Sequence, residues 1–400
     1  MSCEAAAGVT SAGRQSLTFE TGLLAFAMFM VVTTEFSVVG LLPALARDFD
    51  ISLARAGWFV SAFAVASALL GPPLTMLAAR CDPRRVLVAS TTLFAVGNGL
   101  AAATQDPLVL LVVRIVQGGV LPMVASIAIV SATRLAGTGR EGWASARVNR
   151  GVVATAVIGI PAVAITAERI GWPASFGGLA VLGLMAAALI ALRFPAVRGD
   201  GGSTLSAQAS LLLRARFLAH LALSGVLFAA MFAAYTYIAP LLEAVSSLDG
   251  AMVGWMLMGF GVAGIVGNGI AGHVVGRDPT LAAAIGAAIL ALAMATVAFA
   301  GAHPIGTVIV VGVWGAAHTA AFVFCQVGAI AAGRDVPAFA VSLNISICNL
   351  GIAIGAVAGG AIVDRFGAGA AGYAGAMIAL AALAVAVLIL GSRPRAAAKA

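Results

Sequence analysis

Two ionisable residues stand inside stretches otherwise suited to hydrocarbon. Glu35 is the only charged group in AMFMVVTTEFSVVGLLPALA, residues 27–46, and Arg114 is the only one in LLVVRIVQGG, residues 110–119. An ionised side chain facing lipid at that depth costs about 2.5–3.5 kcal/mol on insertion scales, so both must face a bundle interior or a watery cavity. A carboxylate whose surroundings alternate between dry and wet can take up and release a proton, because desolvation favours its neutral form and a nearby guanidinium favours its ionised one. That is the requirement for a proton-coupled step. The static alternatives are a salt bridge between the two residues, or an Arg114 held by backbone carbonyls.

The elements that carry these groups follow from composition. Of 400 residues, 62% are hydrophobic and 9% charged, against about a quarter charged in soluble domains. Apolar runs of bilayer-spanning length, about 20 residues, recur from end to end, at 22–45, 56–79, 86–103, 107–133, 148–167, 174–192, 217–242, 252–275, 281–300, 304–332, 338–363 and 373–390. The first run exceeds a signal-peptide core and no small-residue cleavage site follows it, so it reads as a retained helix. The expected organisation is a terminal tail (1–21), a six-helix bundle (22–193), a linker (194–216) containing RGDGGSTLSAQAS, a second bundle (217–391) and a short tail (392–400). Glu35 then lies roughly 15 Å, and Arg114 roughly 10 Å, below the face opposite the termini.

The halves resemble each other. Basic turns follow the second span of each, ARCDPRR with Arg80, Arg84 and Arg85, and GRDP with Arg277. NRGVVATAVIG at 149–159 aligns with NLGIAIGAVAG at 349–359. Gly151, Thr155 and Gly159 thus match Gly351, Gly355 and Gly359, each set a small-residue stripe suited to close helix packing. Pro161 adds a potential kink by removing a backbone donor within its span. The second half has no counterpart of either charge. An apolar or aromatic residue of MFAAYTYIAPLLEA (231–244) falls where Glu35 would, and VIVVGVWGAAH (308–318) lacks an Arg. An all-α membrane protein is expected, with twelve transmembrane helices in two six-helix bundles related by pseudo-two-fold symmetry, around the central site common in secondary transporters.

The net charge of +7 is a topology signal, and no nucleic-acid partner is expected from it. With twelve spans both termini share one face, which carries 17 Arg and Lys residues against 4 on the other. Basic loops stay in the cytoplasm, so both termini are expected there, in a multi-pass protein of the inner (plasma) membrane. Cys3, Cys81, Cys325 and Cys348 have no paired spacing and indicate neither a disulfide framework nor a metal knuckle.

As an ordered set, TTEFSVVGLLPALA, RIVQGG, GVVATAVIGIPA, IGWPASF, YIAPLL and SLNISICNLGIAIGAVAGG resemble the major facilitator superfamily over residues 22–390. The nearest resemblance is to its twelve-helix drug:proton antiporters, in the branch of sugar-, purine- and chloramphenicol-efflux proteins. The resemblance implies that Arg114 serves proton transfer, that Glu35 binds substrate or proton, and that Gly159 and Pro161 mark exchange rather than uptake. Two features depart from the family pattern. Ala79 and Gly276 replace the acid of the turn after the second span, with Asp82 and Asp278 further along, and Ala162 and Val163 stand where a Gly usually follows the Pro.

The function expected is proton-coupled export of a small organic molecule or drug by alternating access, driven by the proton gradient, without cofactor or metal, by a monomer in the bilayer. Export of a normal metabolite such as a sugar, purine nucleoside or amino acid is the near alternative. Thr34, Phe36, Ser37, Phe232, Tyr235, Tyr237 and His318 are the candidate cavity residues, and His318 is also a candidate for proton coupling. Core packing is the other use for each aromatic. With Glu35 and Arg114 neutralising each other, such a cavity favours neutral or singly charged amphipaths, at roughly 25 cal/mol per Å² of apolar contact, and disfavours multiply charged compounds. A membrane-embedded enzyme needs a nucleophile, metal or general-base cluster at depth, and the spans offer no such pairing. A channel needs a charged ring or a filter loop, and neither is present.

The charge asymmetry generates a test. A cysteine at Ser206 in the linker should react only with membrane-permeant thiol reagents, and one at Ser247 also with impermeant ones. The reverse pattern in labelled cells would overturn the orientation.

Overall fold

The computed structural model describes residues 11–78, 80–137, 140–195, 210–246, 250–275, 278–300, 303–335 and 337–392. Most of the expected linker, residues 1–10 and 393–400 of the terminal tails, and Arg277 lie outside the described residues. Within them the regular structure is all helical: α1 (Ser11–Asp48), α2 (Leu53–Ala78), α3 (Pro83–Ala103), α4 (Pro107–Ala136), α5 (Glu141–Ala154), a π-turn (Thr155–Gly159), α6 (Ile160–Ile170) and α7 (Trp172–Arg193) form the first half. The second comprises α8 (Ala215–Tyr235), α9 (Ile238–Ser246), α10 (Gly250–Val274), α11 (Pro279–Ala300), α12 (Pro304–Ala332), α13 (Pro337–Phe366) and α14 (Ala371–Gly391). Among the described residues twelve segments are long and apolar enough to cross a membrane.

Several starts follow from an Asp-Pro pair. Asp82 Oδ1 accepts from the Arg84 amide at 3.0 Å, Asp106 Oδ1 from Leu108 at 2.8 Å, and Asp278 Oδ1 from Thr280 at 3.0 Å. Each is followed by a Pro whose missing N–H costs nothing in a first turn. Gly137, Gly171 and Gly367 end their helices at φ of 75°, 102° and 85°, a region where a side chain would be strained.

Three spans differ from the sequence reading. The first helix begins at Ser11, eleven residues before the expected 22. No breaker separates the polar start from the apolar run, and Arg147 of α5 donates to Thr21 Oγ1 at 3.0 Å and to the Thr18 carbonyl at 3.3 Å. The fifth span passes through the π-turn immediately before Pro161 rather than kinking at the proline alone. The seventh breaks at Thr236–Tyr237 into α8 and α9, whereas its composition reads as continuous.

Close packing repeats between the halves with a fixed register. A Cβ at Gly151 would stand 1.9 Å from the Ala25 carbonyl oxygen of α1, and one at Gly159 2.3 Å from Thr33 Oγ1. At Gly351, Gly355 and Gly359 of α13 a Cβ would meet the carbonyl oxygens of Gly225, Ala229 and Ala233 of α8 at 2.4, 2.3 and 2.1 Å. Residues 25, 151 and 225, 351 are thus equivalent at a separation of 200. Gly118 of α4 sits on the Phe63 carbonyl as Gly315 of α12 sits on that of Phe260, both at a separation of 197. Lipid does not drive apolar helix surfaces together, so contact this close supplies the attraction between them.

The halves meet chiefly through α2 with α13, α10 with the π-turn and α6, and α1 with α9. Asp364 at the end of α13 accepts from Ser52 Oγ at 3.0 Å and from the Ala54 amide at 3.3 Å, bringing a carboxylate to the N-terminus of α2. Ser61 Oγ donates to the Ala353 carbonyl at 3.3 Å. Added Cβ atoms at Gly254 and Gly261 would meet Ile165 and the Ala156 carbonyl. Among the described residues, these contacts lie between mid-depth and the face opposite the termini.

Packing this tight has a measurable consequence. Gly151→Ala and Gly355→Ala should each destabilise by about 1–3 kcal/mol through overpacking. Gly178→Ala, where an added Cβ has nothing within 4 Å, should stay within about 0.5 kcal/mol of wild type. Thermal unfolding in detergent reads the difference, and equal midpoints for all three variants would contradict the packing account.

Candidate functional site

Arg114 lies on the face of α4 that also carries Gln117 and Gly118, and it is fully buried. Its Nε donates to the Phe59 carbonyl of α2 at 3.2 Å, and its two terminal nitrogens donate to the Thr34 and Glu35 carbonyls of α1 at 2.6 Å each. The guanidinium carbon stands 4.2 Å from the centroid of the Phe63 ring. Of the two static arrangements left open by the sequence, the structure contains the carbonyl cage and not the salt bridge. The planar fork spreads its N–H groups over three nitrogens, each meeting its own carbonyl on α1 or α2, whereas the three donors of an ammonium radiate from a single atom.

A neutral polar network continues this site. Gln117 Nε2 donates to Asn98 Oδ1 at 3.2 Å, Asn98 Nδ2 donates to Thr34 Oγ1 at 2.9 Å, and Thr34 Oγ1 donates to the Met30 carbonyl at 3.0 Å. Ser37 Oγ donates to the Thr34 carbonyl at 2.8 Å. Thr34 and Ser37, expected to line a cavity, are fully buried against helices of their own half. Helical geometry places them about 100° or more around α1 from Phe36, so the three cannot share a face.

Glu35 presents its carbonyl to Arg114 but leaves its carboxylate unbonded. The side chain is half-buried, and among the described residues the carboxylate makes no hydrogen bond or ion pair. Beside it Phe36 stacks on Phe232 of the second half, with ring centroids 5.9 Å apart. Phe232 opens an aromatic cluster on α8, α10 and α12. The His318 ring lies 5.7 Å from Phe232, 4.9 Å from Tyr235 and 5.4 Å from Phe260, and Phe260 lies 5.7 Å from Trp314. His318 Nδ1 and Trp314 Nε1 are buried without a hydrogen-bond partner among the described residues. Four of the expected residues, Phe36, Phe232, Tyr235 and His318, are therefore brought together beside Glu35.

Tyr237 is placed elsewhere. Its hydroxyl donates to the Ala356 carbonyl at 2.7 Å and fills the space over Gly57 and Gly360, where α2 crosses α13. The break at Thr236–Tyr237 turns it away from Tyr235. Nearby Glu243 of α9 has its carboxyl raised above the usual range, by burial first and by Glu168 of the first half next, with Arg47 opposing. The glycines Gly151, Gly159, Gly351, Gly355 and Gly359 form the helix contacts described above, and Pro161 follows the π-turn. In the turn after α2, Arg80 is exposed, Arg84 donates to the Ala191 carbonyl of α7, and Arg85 lies 3.8 Å from Asp82.

Sequence reasoning did not single out Gln117, Phe59, Phe63, Phe260, Trp314 or Asp364. The repeat offers a signal for two of them, since Phe63 and Phe260 are equivalent positions. Asp364 is legible only as an acid near the end of a span.

The family described as Major Facilitator Superfamily matches residues 24–334. The chain is 31% identical over 343 residues to the inner membrane transport protein YdhP of Escherichia coli K12, covering 85% of this chain and 88% of YdhP. It is 28% identical over 385 residues to the uncharacterized MFS-type transporter YbcL of Bacillus subtilis, covering 96% and 99%. The crystal structure of the nucleoside transporter NupG superimposes with a TM-score of 0.74 at 15% identity, covering 94% of this chain and 98% of that one. That likeness establishes the fold. The relatives are transporters and not enzymes, and an inner-membrane relative with twelve apolar helices makes this a multi-pass inner-membrane protein.

Arg114→Lys should lower stability although the charge is kept. At least one of three buried carbonyls loses its donor, at about 1–3 kcal/mol. Thermal unfolding of the purified variant checks this, and a midpoint equal to wild type would show that the fork geometry is dispensable.

Proposed function

The chain belongs to the major facilitator superfamily, and from that premise we propose that it is a proton-coupled antiporter exporting a neutral or singly charged amphipathic molecule by alternating access. The observation that carries the reading is the unbonded, half-buried carboxylate of Glu35. It stands between a caged cation and an aromatic cluster contributed by the other half. Glu35 is the group on which proton and substrate compete. Arg114, pinned by three carbonyls, supplies fixed positive charge and cannot swing away to pair with it. Phe36, Phe232 and Tyr235 give a flat ligand apolar contact, and His318 gives it a polar edge.

The bundles rock about this centre. If the basic terminal face is cytoplasmic, the contacts at the opposite face close the outside, and the cavity opens inward to collect substrate. Opening outward requires breaking Asp364 from the start of α2, Ser61 from Ala353, and Phe36 from Phe232. Each is a small contact, as a transition on the millisecond timescale needs.

Glu35→Gln is nearly isosteric but cannot titrate. Purified wild-type protein in weakly buffered detergent should release protons on addition of ethidium. The Gln variant should release none while retaining the wild-type melting temperature. Gradient-driven ethidium export by the Gln variant in vesicles would falsify the coupling role. Saturable thermal stabilisation by a sugar phosphate, with no response to any amphipath, would overturn the ligand class.

A further inference from the structure

An apolar groove lies on the flank of the first bundle. It measures about 520 Å³, runs between α2 and α4 and is bordered by Val357 of α13. Trp58, Ala62, Val65 and Leu69 of α2 form its floor at helical spacings of three and four, and Ile115 of α4 lines its wall. Trp58 is 56% exposed and Leu69 67%, so in a twelve-span membrane protein the bilayer itself covers these side chains. From Trp58 to Leu69 is about 16 Å along the helix. That is the depth of one leaflet, half of a hydrocarbon core of about 30 Å.

The mouth of the groove carries the second observation. Arg55 lies three residues before Trp58, on the same face of α2 and at the membrane boundary, and is exposed. Among the described residues its guanidinium makes no hydrogen bond or ion pair. The nearby carboxylate of Asp364 is engaged by Ser52 Oγ and the Ala54 amide instead. Arg55 is one of four basic residues on a face where the terminal side has 17, and topology supplies no reason for it. A free guanidinium, then an indole at the depth where indoles settle, then an apolar channel one leaflet long follow the order of a lipid read from headgroup to tail.

We propose that this groove holds one glycerophospholipid, with its phosphate on Arg55 and one acyl chain along α2 between Trp58 and Leu69. The chain lies against Val357, so the lipid touches both halves at the α2–α13 contact.

Native mass spectrometry of the detergent-purified full chain tests this, with dioleoylphosphatidylglycerol as probe and dioleoylglycerol as its phosphate-free analogue. Wild-type protein should retain one phosphatidylglycerol. R55Q should retain about ten-fold less, the scale of one charge-assisted contact. A62F, which fills the groove without touching the charge, should show the same loss at an unchanged melting temperature. Dioleoylglycerol should be retained no better than R55Q retains the phospholipid. Equal phosphatidylglycerol retention by wild type, R55Q and A62F would overturn the site. Retention lost in R55Q but not in A62F would overturn the placement of the acyl chain.

Discussion

A guanidinium is a permanent charge, and Arg114 holds one with no exposed surface in the middle of a helical bundle. Taking such an ion out of water costs several kcal/mol even after relaxation. The carbonyls of Thr34, Glu35 and Phe59 and the face of Phe63 offset that cost. Because these acceptors belong to α1 and α2, the ion ties three helices of the first half at one point. It does so without consuming a carboxylate. Neutral carbonyls satisfy the hydrogen-bonding of the cation but leave its charge uncancelled. The carboxylate of Glu35, next along α1, therefore sits in a positive field and makes no hydrogen bond or ion pair among the described residues.

The repeat shows how one backbone plan carries two chemistries. At the separation of 200 that relates α1 to α8, Glu35 corresponds to Tyr235. At the separation of 197 that relates α2 and α4 to α10 and α12, Phe63 corresponds to Phe260, Gln117 to Trp314 and Arg114 to Val311. The first half places charge and amide groups at the centre, where the second places the rings of Tyr235 and Trp314 and the aliphatic Val311. Packing is the same in both, set by Gly118 and Gly315 against the carbonyls of those two phenylalanines. The side chains between can differ because the glycine contacts set the spacing of the helices in both halves.

Within a half, helices meet backbone to backbone. Between halves, α2 against α13 is as extensive a contact as those within a half, and toward the face opposite the termini it joins Asp364 to the start of α2, Ser61 to Ala353, and Tyr237 to the glycines of α2 and α13. Hydrocarbon surrounds both bundles and does not press them together. The hydrogen bonds that cross the interface contribute about 1 kcal/mol each, beside the packing of α2 on α13 and of α10 on α6.

Much of this was readable from residue order. Span count, the internal repeat, the asymmetry of Glu35 and Arg114 and the glycine stripes depend on local composition and spacing, and bilayer thickness converts composition into helices almost without reference to partners. The sequence did not determine which way a polar residue faces. Thr34 and Ser37 looked as available to a ligand as Phe36, yet the rotation of α1 buries the first against Asn98 and the second over the Thr34 carbonyl, and turns the third to Phe232. Tyr235 and Tyr237 are two residues apart, and a break that composition does not announce sends one to the aromatic cluster and the other to the α2–α13 crossing. Whether Arg114 would choose a carboxylate or three carbonyls depended on where α2 brings Phe59, a contact 55 residues distant in sequence. Local periodicity says how far apart residues lie along a helix, but the rotation of each helix about its own axis is decided by all its neighbours at once.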